Sequence, residues 1–274
     1  MPGSFSPSLF KKHIALTQEH GSWVFLFSPL LIGLFAGGRW TAASGFLVLA
    51  VLAVFLFKQP LTMAVKIGSG RRGRQDLPAA LFWMAIYGGL ALIGFVGLQE
   101  QGFGWLAILA LPGLPVLVWY LVLVSRRAER RQLGVEIVAS GVLALGAPAA
   151  YWIGLGEMNA LGWWLWLFTW LQSAASIVYA ALRLAQRGWT DFSFSSQVEA
   201  ARRPLLYTGF NFVLVFVLGR IGTIPSGVWW SFALQFAETL WGTFHPAVNQ
   251  RPARVGTRQL LVSILFTILF IFFW

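Results

Sequence analysis

Residues 77–98 read LPAALFWMAIYGGLALIGFVGL, a run without a charged side chain, bounded by Arg74 and Asp76 on one side and Glu100 on the other. A helix rising 1.5 Å per residue crosses about 30 Å of hydrocarbon with roughly 20 such residues, so this run makes one complete span. Working outward, comparable apolar blocks fall at about 21–37, 41–57, 103–124, 133–155, 161–182, 204–219, 224–244 and 259–274. Of 274 residues, 58% are hydrophobic and 11% charged, a balance outside that of soluble domains. The sequence predicts an all-α, polytopic transmembrane helical bundle of about nine spans. The first, second, seventh and ninth blocks are short and are expected to extend into their flanks or tilt.

The charges order these blocks. Eighteen of the 20 Lys and Arg fall in alternate segments: before the first block, then after the second, fourth, sixth and eighth. The other connectors hold only Arg39 and Arg220. Lys and Arg accumulate on the cytoplasmic side, which predicts the N-terminus inside and the C-terminus at Trp274 outside. The same rule explains the net charge of +11 through anionic lipid headgroups, and no nucleic-acid partner is expected. Trp40, Trp105, Trp163, Trp164 and Trp229 sit near outer block ends, where indoles anchor.

The absence of cysteine excludes disulfides, thiolate metal sites and cysteine nucleophiles. Residues 1–20 are expected to form an N-terminal interfacial segment, with an amphipathic helix over 6–19, and residues 21–274 a single transmembrane domain. The first apolar block carries no cleavage signature and is taken as a retained span. Gly33 and Gly37, like Ser140, Ala144 and Pro148, have the four-residue spacing that lets helices pack closely.

Polar residues inside apolar blocks are costly and call for a partner or a role. In the eighth block Ser231, Gln235, Glu238, Gly242 and His245 recur at steps of three and four and share one helical face. In the sixth, Gln172, Ser176, Tyr179 and Arg183 form a second stripe. Together they suggest a polar cavity open to the cytoplasm. Glu19 and His20, at the mouth of the first block, could meet a headgroup or merely cap the helix. Gln59, Arg71, Arg72, Arg74, Arg202 and Arg203 complete the candidate ligand-binding set. Glu136 is expected to pair with Arg130 or Arg131. No Walker loop, Gly-x-Ser-x-Gly elbow or His-Glu-x-x-His occurs, and His13, His20 and His245 make a poor zinc set, so neither metal nor cofactor is expected and catalytic residues stay unassigned.

Gln18-Glu19-His20-Gly21-Ser22-Trp23 opening a first span, with Pro29 inside it, resembles the YwiC-like family of bacterial membrane proteins. The likeness extends through Pro60-Leu61 and the Arg-rich connector after the fourth block, and it implies a bacterial multi-pass protein without implying a reaction. Nine helices with the longest connectors after the second and sixth also look like the UbiA-type intramembrane prenyltransferases. Those enzymes hold magnesium and diphosphate with Asp-rich connectors, whereas here Asp76, Asp191 and Glu199 stand apart. The resemblance therefore implies a shared bundle without that metal chemistry, with arginines left to grip phosphate directly. The expected function is binding of an isoprenoid or lipid-like amphiphile. The alternatives are a degenerate UbiA-like enzyme, a proton-coupled small-solute transporter using Glu238 and His245, and a non-catalytic assembly partner.

Overall fold

The computed structural model of the chain describes residues 9–17, 21–129, 132–190 and 193–274, and these are helices and short connections without a strand. In chain order the helices are α1 (Lys12–Ala15), α2 (Ser22–Ala36), α3 (Ala42–Gly68), α4 (Leu77–Glu100), α5 (Gly113–Ser125), α6 (Leu133–Ala144), α7 (Gly146–Leu155), α8 (Ala160–Ala185), α9 (Phe194–Arg220), α10 (Trp229–Phe244) and α11 (Pro252–Phe273). Among the described residues, six helical segments are long and apolar enough to cross a membrane: 42–68, 74–100, 104–125, 133–155, 160–188 and 252–273. The other three apolar blocks are helical as well. They appear as α2 with 15 residues, α10 with 16, and α9, whose first turns are polar.

Several boundaries differ from those that hydropathy suggests, each for a local reason. The second block continues as α3 to Gly68, because Lys58 lies 4.3 Å over the Tyr120 ring and Gln59 donates to the His13 carbonyl at 2.9 Å. α9 starts ten residues before its apolar block, where the Ser193 hydroxyl accepts from Ser196 N and caps the helix. Asn159 caps α8 in the same way, and Gly156, at φ 86°, ends α7 in the left-handed region that glycine tolerates. The fourth block opens as a 3-10 stretch, Gly104–Ala110, before Pro112. Block five is interrupted at Leu145 between α6 and α7.

Two compact units result. The first comprises residues up to 19 together with 40–135. Its centre is the α3–α4 pair, where Gly94 and Gly97 bring α4 against Ala50 and Phe46. The described helical part of the N-terminal segment is the single turn α1. Ile14 is sealed among Met63, Ala79 and Ala80, while Trp83 Nε1 and Tyr87 Oη donate to the carbonyls of Leu9 and Ala15 at 3.1 and 3.0 Å. The segment is thus bound to α3 and α4 by side chains that grip its backbone.

The second unit comprises residues 20–39 and 136–274. α2 lies on α7 at backbone contact: a Cβ on Gly33 would stand 2.1 Å from the Ala147 carbonyl oxygen, and one on Gly154 would stand 2.7 Å from Gly37 Cα. This is the close packing that the spacing of Gly33 and Gly37 foretells. Trp166 and Trp170 fix α8 to α6 by donating to the carbonyls of Gly141 and Ile137. Phe168, Phe232, Phe266 and Phe270 form an aromatic core joining α8, α10 and α11.

Candidate functional site

The two polar stripes face each other across α8 and α10. Gln235 Nε2 donates to the Gln172 carbonyl at 2.9 Å and to Ser176 Oγ at 3.0 Å, and Gln172 Nε2 reaches Ser176 Oγ at 3.2 Å. One step further along, Tyr179 Oη donates to Glu238 Oε1 at 3.0 Å. The stripes therefore meet much of each other's hydrogen-bonding need, as costly polar groups in an apolar setting should. Of this set, Gln235 Oε1 stays buried without a partner.

Glu238 meets its counter-ion on α11. Arg258 Nε and Nη2 each lie 2.7 Å from one carboxylate oxygen, the planar two-point pairing that guanidinium geometry allows. The Arg258 guanidinium also stacks 3.5 Å from the Trp241 ring centroid, and the His245 ring stacks on the same indole at 4.7 Å. Gly242 makes room for this arrangement, since a Cβ there would fall 1.9 Å from Tyr179 Oη.

Arg183, only 2% exposed, closes the end of α10. Its Nη1 donates to the carbonyls of Gly242 and His245 at 2.7 and 2.6 Å and to Gln186 Oε1 at 2.8 Å. The last carbonyls of a helix lack intrahelical donors and carry partial negative charge, so a buried guanidinium is well placed there. Gln186 Nε2 and Arg187 Nε extend the same tie to Gly242 and Gln250.

A groove of about 610 Å³ runs between α2 and α11. Its walls are Phe27, Leu31 and Phe35 on one side and Leu260, Ile264 and Ile268 on the other. On its floor Thr267 donates to the Ser263 carbonyl, so Ser28 supplies the proton of the 2.6 Å Ser28–Thr267 bond. The hydroxyls are consumed in binding the two helices together, and the groove wall is hydrocarbon.

The candidates of the first unit form a separate set. Arg71 is held by Glu129 at 2.8 Å and by the Val124 carbonyl, with Lys66 at 3.8 Å from the same carboxylate. Arg72 pairs with Asp76 at 3.3 Å, and Lys11 reaches Asp76 at 2.7 Å. Arg71 thus joins connector to connector, Lys11 ties the N-terminal segment to Asp76 at the start of α4, and Arg72 braces that same carboxylate from within its own connector, while Arg74 is exposed. Glu129 was missing from the sequence candidates, although a lone acid within the arginine-rich stretch 126–131 is a signal for such a pairing. Arg258 was missed for another reason: placing the ninth block at 259 leaves it in a loop. Pro252 at the first helical position is the start signal that puts it in the second turn of α11.

Arg202 and Arg203 lie exposed on α9, apart from these clusters. Glu19, His20, Arg130, Arg131 and Asp191 lie outside the described residues, and so does the expected pairing of Glu136 with Arg130 or Arg131.

The Lys11 ammonium, bonded to Asp76, holds that carboxyl below the usual carboxylate range, with Arg72 adding to the effect. The Arg71 guanidinium does the same for Glu129. A folded-state pKa below the unfolded value gives stability that is present above about pH 4 and is lost as pH falls through the folded value. Asp76→Asn is therefore expected to speed proteolysis near residues 9–17 at pH 7 and to cost about 1 kcal/mol. At pH 3 its difference from the parent should shrink, and an equal difference at both values would refute the ion-pair account.

Residues 16–151 of the chain, about half its length, match the family described as YwiC-like protein. The chain belongs to the YwiC-like family. Among curated proteins it is similar to a Bacillus subtilis (strain 168) protein named "Uncharacterized protein YwiC", with 24% identity over 185 residues, covering 66% of this chain and 72% of the relative. No solved structure matches the chain significantly. The family match takes in α2, α3 and α4, and ends in α7, so it includes the Gly33 contact and the Arg71–Glu129 pair. The Glu238 cluster lies beyond it.

Proposed function

We propose that this multi-pass protein of the YwiC-like family resides in a bacterial cytoplasmic membrane and binds an isoprenoid or lipid-like amphiphile, whose hydrocarbon tail lies in the α2–α11 groove. The observation that carries this reading is the groove itself. Its volume of about 610 Å³ falls within the 300–1,000 Å³ of small-molecule sites, and its wall offers a tail nothing but apolar contact. Gln172 and Ser176 of α8 and Gln235 of α10 hydrogen-bond one another, so the reading does not rely on an open polar cavity between these helices. A degenerate UbiA-like ancestry agrees with this ligand class and adds no reaction to it.

The test is lipid extraction and mass spectrometry of the protein purified in mild detergent, parent beside Ile264→Trp. The parent is expected to retain an amphiphile enriched over bulk membrane lipid, and the indole, by filling the groove, to reduce that enrichment at least about tenfold. Equal retention by both proteins, or no enrichment in the parent, would defeat the reading. The competing proton-coupled transporter draws its support from an ionisable group within the helices, Glu238, beside His245. It requires proton uptake by proteoliposomes that Glu238→Gln abolishes.

A further inference from the structure

Arg258 and Arg183 stand near the same indole, with guanidinium carbons 3.5 and 5.5 Å from the Trp241 ring centroid, and they use their donors in opposite ways. Arg258 presents its Nε–Nη2 edge to a carboxylate and is thereby neutralised. Arg183 makes every one of its hydrogen bonds from Nη1. Its Nε–Nη2 edge, the one best shaped for two oxygens of a carboxylate or phosphate, bonds to nothing among the described residues.

That edge is almost fully covered, since Arg183 is 2% exposed, yet it is not sealed. Among the described residues the polar side-chain atoms sealed from solvent without a partner are Asn211 Oδ1 and Gln235 Oε1, and no Arg183 nitrogen is one of them. The charge count agrees. Glu238 is the carboxylate of this cluster, and both its oxygens are taken by Arg258, with Tyr179 sharing one of them. Arg183 is 98% covered and forms no ion pair with a carboxylate of the described residues; it shares the field of Glu238 with Arg258, so two guanidiniums stand against one carboxylate, with the helix-end carbonyls adding only partial charge. Burying a full charge is expensive without a counter-charge, so the site as built favours one anion.

We propose that Arg183 is an oxyanion seat: its Nε–Nη2 edge binds two oxygens of a phosphate group beside Tyr179 and Trp241, while Nη1 keeps the guanidinium fixed on the end of α10. The phosphate belongs either to a free ion or to the headgroup of a lipid. In the second case the seat supplies the polar half of the amphiphile proposed above and rests on that reading; in the first it stands alone.

The experiment measures binding of inorganic phosphate and of dihexanoyl phosphatidic acid to the full-length chain in detergent. The parent is compared with Arg183→Lys, Arg183→Gln and Ile264→Trp. Lysine can still donate to the helix-end carbonyls but has no two-point edge, so Arg183→Lys is expected to keep the parental melting temperature and weaken phosphate-group binding about tenfold or more. Arg183→Gln should lose both binding and part of the thermal stability. Ile264→Trp should leave inorganic phosphate binding unchanged.

Binding of inorganic phosphate as strong as that of the lipid identifies a free-anion seat, and stronger lipid binding identifies a headgroup seat; either supports the proposal. Parental affinity in Arg183→Lys, or failure of the parent to bind either probe, overturns it. Loss of lipid enrichment in Ile264→Trp with intact phosphate binding separates the groove from the seat, so each reading can fail without the other.

Discussion

Replacing Gly33 by leucine is expected to abolish folding of the second unit, so that no monodisperse protein is recovered in detergent. A Cβ at this position would lie 2.1 Å from the Ala147 carbonyl oxygen and 2.9 Å from its carbonyl carbon and Cα, all backbone atoms without a rotamer to yield. The neighbouring contacts allow no escape by sliding, since a Cβ on Gly37 would stand 2.9 Å from the Tyr151 carbonyl oxygen. Relief requires α2 to move off α7 along its length. Overpacking normally costs about 1–3 kcal/mol where side chains can give way, and here backbone must give way instead. Gly33→Ala brings the same Cβ against the same backbone atoms, so it too should be strongly destabilised, falling short of leucine only by the further side-chain carbons that leucine must also place. Gly45→Ala is the control: nothing lies within 4 Å of the added methyl, so a helix gains about 0.5–1 kcal/mol from alanine's better propensity. If Gly33→Leu purifies and melts like the parent, the backbone contact of α2 with α7 is wrong.

What the sequence discloses and what it hides follows from the physics of each feature. Helices come from apolar blocks too long for anything else, and Gly33 and Gly37 advertise close packing because only a missing side chain permits it. The stripes on α8 and α10 are visible because each repeats at helical spacing. Their mutual hydrogen bonding is not, since spacing along one helix says nothing about which helix it faces. A pair of polar stripes reads equally as a cavity lining or as a zipper, and Gln235 bonded to Gln172 and Ser176 decides for the zipper. The groove is invisible for the opposite reason. Phe27, Leu31, Ile264 and Ile268 are ordinary apolar residues, and only the gap between two helices gives them meaning. Arg71 and Arg72 read as free anion ligands in the sequence because no cluster of acids lies near them. Single acids, Glu129 and Asp76, suffice to engage them.

The Glu238–Arg258 pair is expected to be asymmetric: Arg258→Ala should destabilise the protein more than Glu238→Ala, and the double variant should be more stable than Arg258→Ala alone. The reason is the difference in what is left behind. Side-chain exposure is 40% for Arg258 and 10% for Glu238. Removing the carboxylate leaves a guanidinium that still stacks on Trp241 and can turn toward water, while Tyr179 Oη keeps the Glu238 carbonyl as acceptor at 3.0 Å. The loss is then two charge-assisted hydrogen bonds, discounted for solvent, or about 1–2 kcal/mol. Removing the guanidinium leaves a carboxylate among apolar helices without its counter-ion, a situation that costs at least about 2.5 kcal/mol. It also strips the Trp241 face of its cation, worth about 0.5–1 kcal/mol more. Deleting Glu238 from the Arg258→Ala variant cancels the larger penalty, so the second substitution should raise the melting temperature that the first lowered. Thermal unfolding of the four proteins in one detergent measures the cycle. Losses that merely add, with the double variant the least stable, would show that Glu238 is not held as an ion by Arg258.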